Sequence, residues 1–153
     1  MLWLHMQAVT LKSWSMTMRI RTYSELRRYH TFNDRFNYLR LRGAVGLSTF
    51  GHDRYLNQRF YTSVEWRHLR NEIIARDRGL DLGVEDHEIY DKIIIHHMNP
   101  ITEEDILHGS DFLFNPEYLI TTTHQTHNAI HYGDETLLVG PPVERRPGDT
   151  KLW

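Results

Sequence analysis

Two histidine motifs constrain this chain more than any other feature: His96 and His97 in Ile93-Ile94-Ile95-His96-His97-Met98-Asn99-Pro100, and the pair in His127-Asn128-Ala129-Ile130-His131. Three β-branched isoleucines before Asn99-Pro100 predict a strand over 92–97 that ends in a turn, because proline cannot continue a regular element. Residues four apart share one face of a helix, so His127 and His131 point to one place. Pro116 to Thr122 reads as a second strand, and 123–132 as a helix stopped by Gly133. Strand, strand and helix close a compact ββα unit. In it three imidazoles can meet one cation and leave a coordination position open.

At 153 residues the chain has the size of one domain. It has no cysteine, which excludes disulfides, thiolate zinc sites and cysteine nucleophiles and leaves His, Asp and Glu as the strong metal ligands. No run approaches the roughly 18 apolar residues of a membrane span, and the first residues carry His5 and Lys12 without a small-residue cleavage site, unlike a signal peptide. The expectation is a soluble, cytoplasmic protein with no membrane partner.

The net charge of -2 conceals an uneven distribution. Arg19 to Arg78 holds thirteen Arg and six acids, a net of +7, whereas Gly79 to Tyr118 holds one Lys and ten acids, a net of -9. Guanidinium groups bond phosphate oxygens in pairs, so an Arg-only basic half suits phosphate recognition. The alternative is a set of solvated helix faces that pair with the acidic half.

Residues 1–17 have little periodicity and read as a leader that is poorly ordered unless Trp3 and Trp14 dock. A helix is expected over 24–41, a loop over 43–51 and a short helix over 53–61. Ser63 to Asp77 is the strongest helix, capped by Ser63, apolar at Trp66, Leu69, Ile73 and Ile74, and ended by Gly79. Its other face carries Arg67, Arg70 and Arg76, candidate contacts to phosphate. An acidic, turn-rich stretch follows to Asp91. A short helix with Thr102 as its cap runs to Leu107, and the tail 134–153, with Pro141, Pro142 and Pro147, is expected to be extended.

Taken together, His96-His97, Asn115-Pro116-Glu117-Tyr118-Leu119-Ile120-Thr121 and His127-Asn128-Ala129-Ile130-His131 resemble the HNH endonuclease family, the ββα-metal or His-Me finger, in its phage or prophage type. The resemblance covers about residues 67–133. It implies an α+β single domain over 18–133, with a helical, Arg-rich part at 18–79 and a ββα-metal finger at 92–133. It also implies that His97 is the general base, that His96, His127 and His131 hold one divalent ion (Mg, Mn, Ni or Zn), and that the substrate is a DNA phosphodiester. A phage terminase or packaging protein is an implied partner, and host cytoplasm the implied site of action.

The chain departs from the family in two places. The central asparagine is expected at the position of Tyr118, so its task of pinning the loop between the strands falls to Asn115 or is lost. Many relatives carry two CxxC pairs for a structural zinc, and this chain has Leu80 with Gly83 and Thr123 with Thr126 instead. Apolar packing of Trp66, Leu69, Ile73, Ile94, Leu119, Ile120 and Ile130 is then expected to hold the fold. His124 shares the helix face of His127 and is a further candidate ligand or phosphate contact. A non-catalytic DNA-binding or packaging module and an RNase are the rival functions. HNAIH lacks the glutamate of a zinc peptidase, and no glycine loop for nucleotides is present.

Overall fold

The computed structural model describes residues 19–41 and 54–138. The expected leader, the loop at 43–51 and the tail beyond Leu138 lie outside them.

Where one helix is expected over 24–41, the chain forms two, α1 (Tyr23–Leu26) and α2 (Phe32–Leu39). Thr22 and Thr31 each accept a hydrogen bond from the backbone N–H three residues on, of Glu25 and Asp34. An N-cap has extended backbone, so Thr31 interrupts any helix that runs through it. Two longer helices follow, α3 (Arg54–Thr62) and α4 (Val64–Asp77), with Ser63 capping the second through the Trp66 N–H. The left-handed residue that ends α4 is Arg78, at φ 55°, followed by Gly79 at φ 68°.

The acidic stretch folds into a hairpin of two-residue strands, β1 (Leu80–Asp81) and β2 (His87–Glu88), too short to leave any periodicity. Then come β3 (Ile94–His97), α5 (Glu103–His108), α6 (Asp111–Phe114), β4 (Leu119–Thr122) and α7 (His124–Tyr132). The second strand was expected from Pro116, but Pro116–Tyr118 form a 3-10 turn. Proline has no N–H and a fixed φ, which suit the first position of a helical turn rather than a ladder. Glu135–Leu138 likewise turn instead of running extended.

Strands β3 and β4 pair antiparallel, with His96 opposite Ile120 and His97 opposite Leu119. Side chains alternate across a strand, so each face of this ribbon carries its own core. One face meets α7 and the N-terminal helices: Leu26, Phe36, Leu39, Leu82, Ile120 and Ile130 cluster there. The other meets α3, α4 and α6 through Phe60, Trp66, Leu69, Ile73, Leu113 and Leu119. Ile94, expected in the core, is only half-buried, while Ile95 is buried. The class is α+β.

Polar staples supplement this packing. Asp77, buried at the end of α4, accepts from the N–H and hydroxyl of Thr121 at 2.9 and 3.1 Å. Asp81 accepts from Gly83 N and Thr123 N at 3.0 and 2.9 Å, which ties the β1–β2 hairpin to the start of α7. Gly83 is needed there, because a Cβ would lie 2.5 Å from Thr126 Cγ2. At the other end of α7, Gly133 turns at φ 66° against the carbonyl of Leu41, whose N–H bonds Ile130 O at 2.9 Å. No helix among the described residues is long and apolar enough to cross a membrane.

Candidate metal centre

The pairing register places His96 on the α7 face of the ribbon and His97 on the α4 face. His96 is buried, with 1% of its surface exposed, and meets the rings of His127 and His131 edge-on at 5.2 and 5.1 Å between centroids. The HxxxH spacing on α7 brings the last two together as expected, with Nε2 to Nε2 at 3.1 Å. One ring nitrogen from each of the three lies within 4.8 Å of the others, close enough to hold a metal ion.

The donor set fits such an ion. Both ring nitrogens of His96 are buried and have no hydrogen-bond partner among the described residues, whereas buried polar groups almost always have partners. Tetrahedral ligands at about 2.0–2.1 Å from zinc stand about 3.3 Å apart, near the separation of the two α7 nitrogens. Burial drives His96 well below its ordinary 6.5, and the neighbouring His127 and His131 add to the effect. Burial also lowers His127, and it takes His131 down to about 4, with His127 contributing. All three are therefore neutral at pH 7, the state that binds metal.

His97 has a different environment. Its ring stacks on Trp66 at 5.5 Å and 15°, and Phe60 lies 6.2 Å away. Burial lowers its pKa to about 4 against the opposing influence of the Leu113 carbonyl, which lies 3.4 Å from Nε2. A neutral imidazole that donates Nε2–H to this carbonyl keeps the lone pair on Nδ1.

Asn115 caps the 3-10 turn between the strands. Its Oδ1 accepts from Glu117 N and its Nδ2 donates to Asp111 Oδ2, both at 2.9 Å. It holds the loop by its own bonds, and nothing brings it to the triad. Tyr118, at the expected asparagine position, packs tilted against Phe112 at 4.8 Å. His124 is exposed, 3.4 Å from Asn128 Nδ2, and stands outside the triad.

The three arginines of α4 separate. Arg67 is exposed. Arg70 is half-buried and donates to Ile93 O at 3.2 Å, which braces α4 against the start of β3. Arg76, expected among the DNA contacts, is committed inside the protein. It chelates Asp77, donates to Pro116 O and Leu119 O at 2.6 Å each, and covers the Tyr23 ring at 3.7 Å. A guanidinium spent on four internal acceptors braces the fold.

Sequence inspection passed over two groups. The Leu113 carbonyl carries no residue signature, since any residue supplies one. Arg21 is one arginine among many, yet it donates to Tyr38 O and Arg40 O at 2.7 and 3.1 Å, and its charge is felt at His96. Asn99, three residues past His96, bonds both the N–H and the carbonyl of Arg21 and so fixes its backbone beside β3. No family model, curated protein or solved structure matches the chain.

Proposed function

We propose that the protein is a divalent-metal-dependent nuclease that hydrolyses DNA phosphodiester bonds. The observation that carries this is the buried His96, with both ring nitrogens unbonded, beside His127 and His131 and one residue from an imidazole oriented by a carbonyl.

His97 is suited to be the general base. With Nε2–H committed to Leu113, Nδ1 can take a proton from the water that attacks phosphorus. The free protein holds His97 at about 4; the negative charge of a bound phosphodiester raises it toward the range useful at neutral pH. His96, His127 and His131 would hold the ion, and an all-imidazole set favours Zn or Ni over Mg. Such an ion, if bound, would supply Lewis-acid stabilisation of the charge that builds up on the phosphodiester. Arg21 adds a fixed positive charge on the same side. Because His96 and His97 face opposite sides of the ribbon, a phosphodiester that reaches both lies across the outer edge of β3, the edge away from β4.

The second reading is a DNA-binding or packaging module that keeps the unit as a scaffold, favoured by Tyr118 at the position of the family asparagine. Incubating plasmid with the protein and Mg, Mn, Ni or Zn, with EDTA as control, separates the two. Nicking or linearisation that requires metal is expected. Intact plasmid under every metal, with binding retained, would leave the scaffold reading.

A further inference from the structure

The α4 face of the ribbon carries an aromatic cluster that continues from His97 to solvent. Trp66 stacks on His97, and Phe60 lies 4.9 Å from Trp66; both are buried. Around them, Tyr61 packs edge-on to Phe60 and Trp66 at 4.9 and 5.2 Å, and Phe114 packs edge-on to Phe60 at 5.3 Å. These outer rings remain open, Tyr61 at 50% and Phe114 at 37% exposure. Burying both would stabilise the core further, yet two segments distant in sequence each present an exposed ring that packs edge-on to the same buried Phe60. Arg59 and Arg67, one residue from Phe60 and Trp66, are exposed on the same helices.

We propose that Tyr61 and Phe114 form a stacking platform for an unpaired nucleobase next to the phosphate attended by His97. The substrate is then a single-stranded or locally unpaired nucleic acid. This rests on the proposed nuclease function for the position of that phosphate. Every base has a π-face, so aromatic side chains bind it with little regard to sequence. A base inside a duplex shows only its edges in the grooves and cannot stack on a side chain without leaving the helix. The exposed Arg59 and Arg67 on the same two helices supply positive charge for the phosphates of the same strand. The first turn of α5, which packs on α3, is acidic and opposes phosphate. The base therefore occupies the rings while the backbone follows Arg59 and Arg67.

Binding is measured on the full chain in EDTA, so the result does not depend on cleavage. The probes are a labelled DNA oligonucleotide, the RNA of the same sequence, and the blunt DNA duplex, read by fluorescence anisotropy at one salt concentration. Single strands should bind more tightly than duplex. Tyr61→Ala and Phe114→Ala should each weaken single-strand binding by roughly 5- to 150-fold, the worth of one stacked base. Duplex affinity should be unchanged while the thermal midpoint falls by a few degrees, because each ring also packs on Phe60, and Tyr61→Phe should behave as wild type. A preference between the DNA and RNA strands supports the platform and identifies its source. Duplex binding as tight as single-strand binding, or ring variants that lose both alike, would overturn the proposal. A dimer in sedimentation that Tyr61→Ala dissolves would also overturn it, by making this face an interface between copies. No cleavage with any metal alongside ring-dependent strand binding would remove the nuclease reading and leave the platform standing.

Discussion

His96 and His97 are consecutive in β3, yet one imidazole faces His127 and His131 on α7 and the other lies flat against Trp66 on α4. The alternation of a strand separates them and gives them different chemistry. One is buried with both nitrogens unbonded, while the other shares a hydrogen with Leu113.

Their roles should separate under substitution. His96→Ala should lower zinc affinity, measured by titration calorimetry, by more than the roughly 10- to 100-fold that loss of an outer partner costs. His97→Ala should leave that affinity within a few-fold and lower the cleavage rate by roughly 10² to 10⁴. If His97→Ala abolishes zinc binding and His96→Ala does not, the assignments are reversed.

The metal-free protein should lose stability as pH falls. His97 and His131 drop from 6.5 to about 4 on folding, so between those values the unfolded chain binds more protons than the native one. Stability is full above about 6.5 and declines as pH falls through about 4. Thermal melts in EDTA across this window should show a falling midpoint, and a flat one would mean that these imidazoles titrate in the fold as they do in the unfolded chain. Zinc at about a thousand times its dissociation constant should add about 4 kcal/mol at neutral pH.

Asp77→Ala should destabilise by about 1–3 kcal/mol, the usual cost of leaving buried donors unsatisfied. The lost carboxylate serves Arg76 and both Thr121 donors. Urea unfolding measures the loss, and a change below about 1 kcal/mol would mean that Arg76 is braced by Pro116 O and Leu119 O alone.

Gly83→Ala should cost about 1–3 kcal/mol, the range for overpacking a tight contact, because its new methyl would meet Thr126 Cγ2 at 2.5 Å. Thr126→Ser removes that methyl and keeps the hydroxyl bond to Thr123. The double variant should recover most of the loss, and additive penalties in denaturant melts would place the strain elsewhere.

Much of the site was readable as spacing. The strand ending at His97, the helix carrying His127 and His131, and the Ser63 cap of α4 each follow from a local rule that neighbouring residues satisfy among themselves. The errors fall where a competing local signal or a distant contact prevailed. Thr31 splits an otherwise continuous helical pattern, and Pro116 converts the start of an expected strand into a turn. Arg76 looked free on a polar helix face because its acceptors, Pro116 O and Leu119 O, lie about forty residues away and are main-chain atoms. Core assignments suffered at Ile94 for the same reason, since strand alternation leaves the phase open until a partner strand fixes which face is covered.

The sequence by itself determined which residues could share a strand or a helix face, because periods of 2 and 3.6 are properties of the local backbone. It therefore put His127 and His131 on one helix face, and the resemblance to a known family added His96 as a third candidate ligand. Only the tertiary structure decided that His96 meets them edge-on with both nitrogens unbonded, that Trp66 and Leu113 hold His97, and that Tyr61 and Phe114 stay open against the Phe60 that packs near it. These facts depend on register and packing between segments far apart in the chain, where the energy lies in burial and in main-chain hydrogen bonds that carry no mark in residue identity.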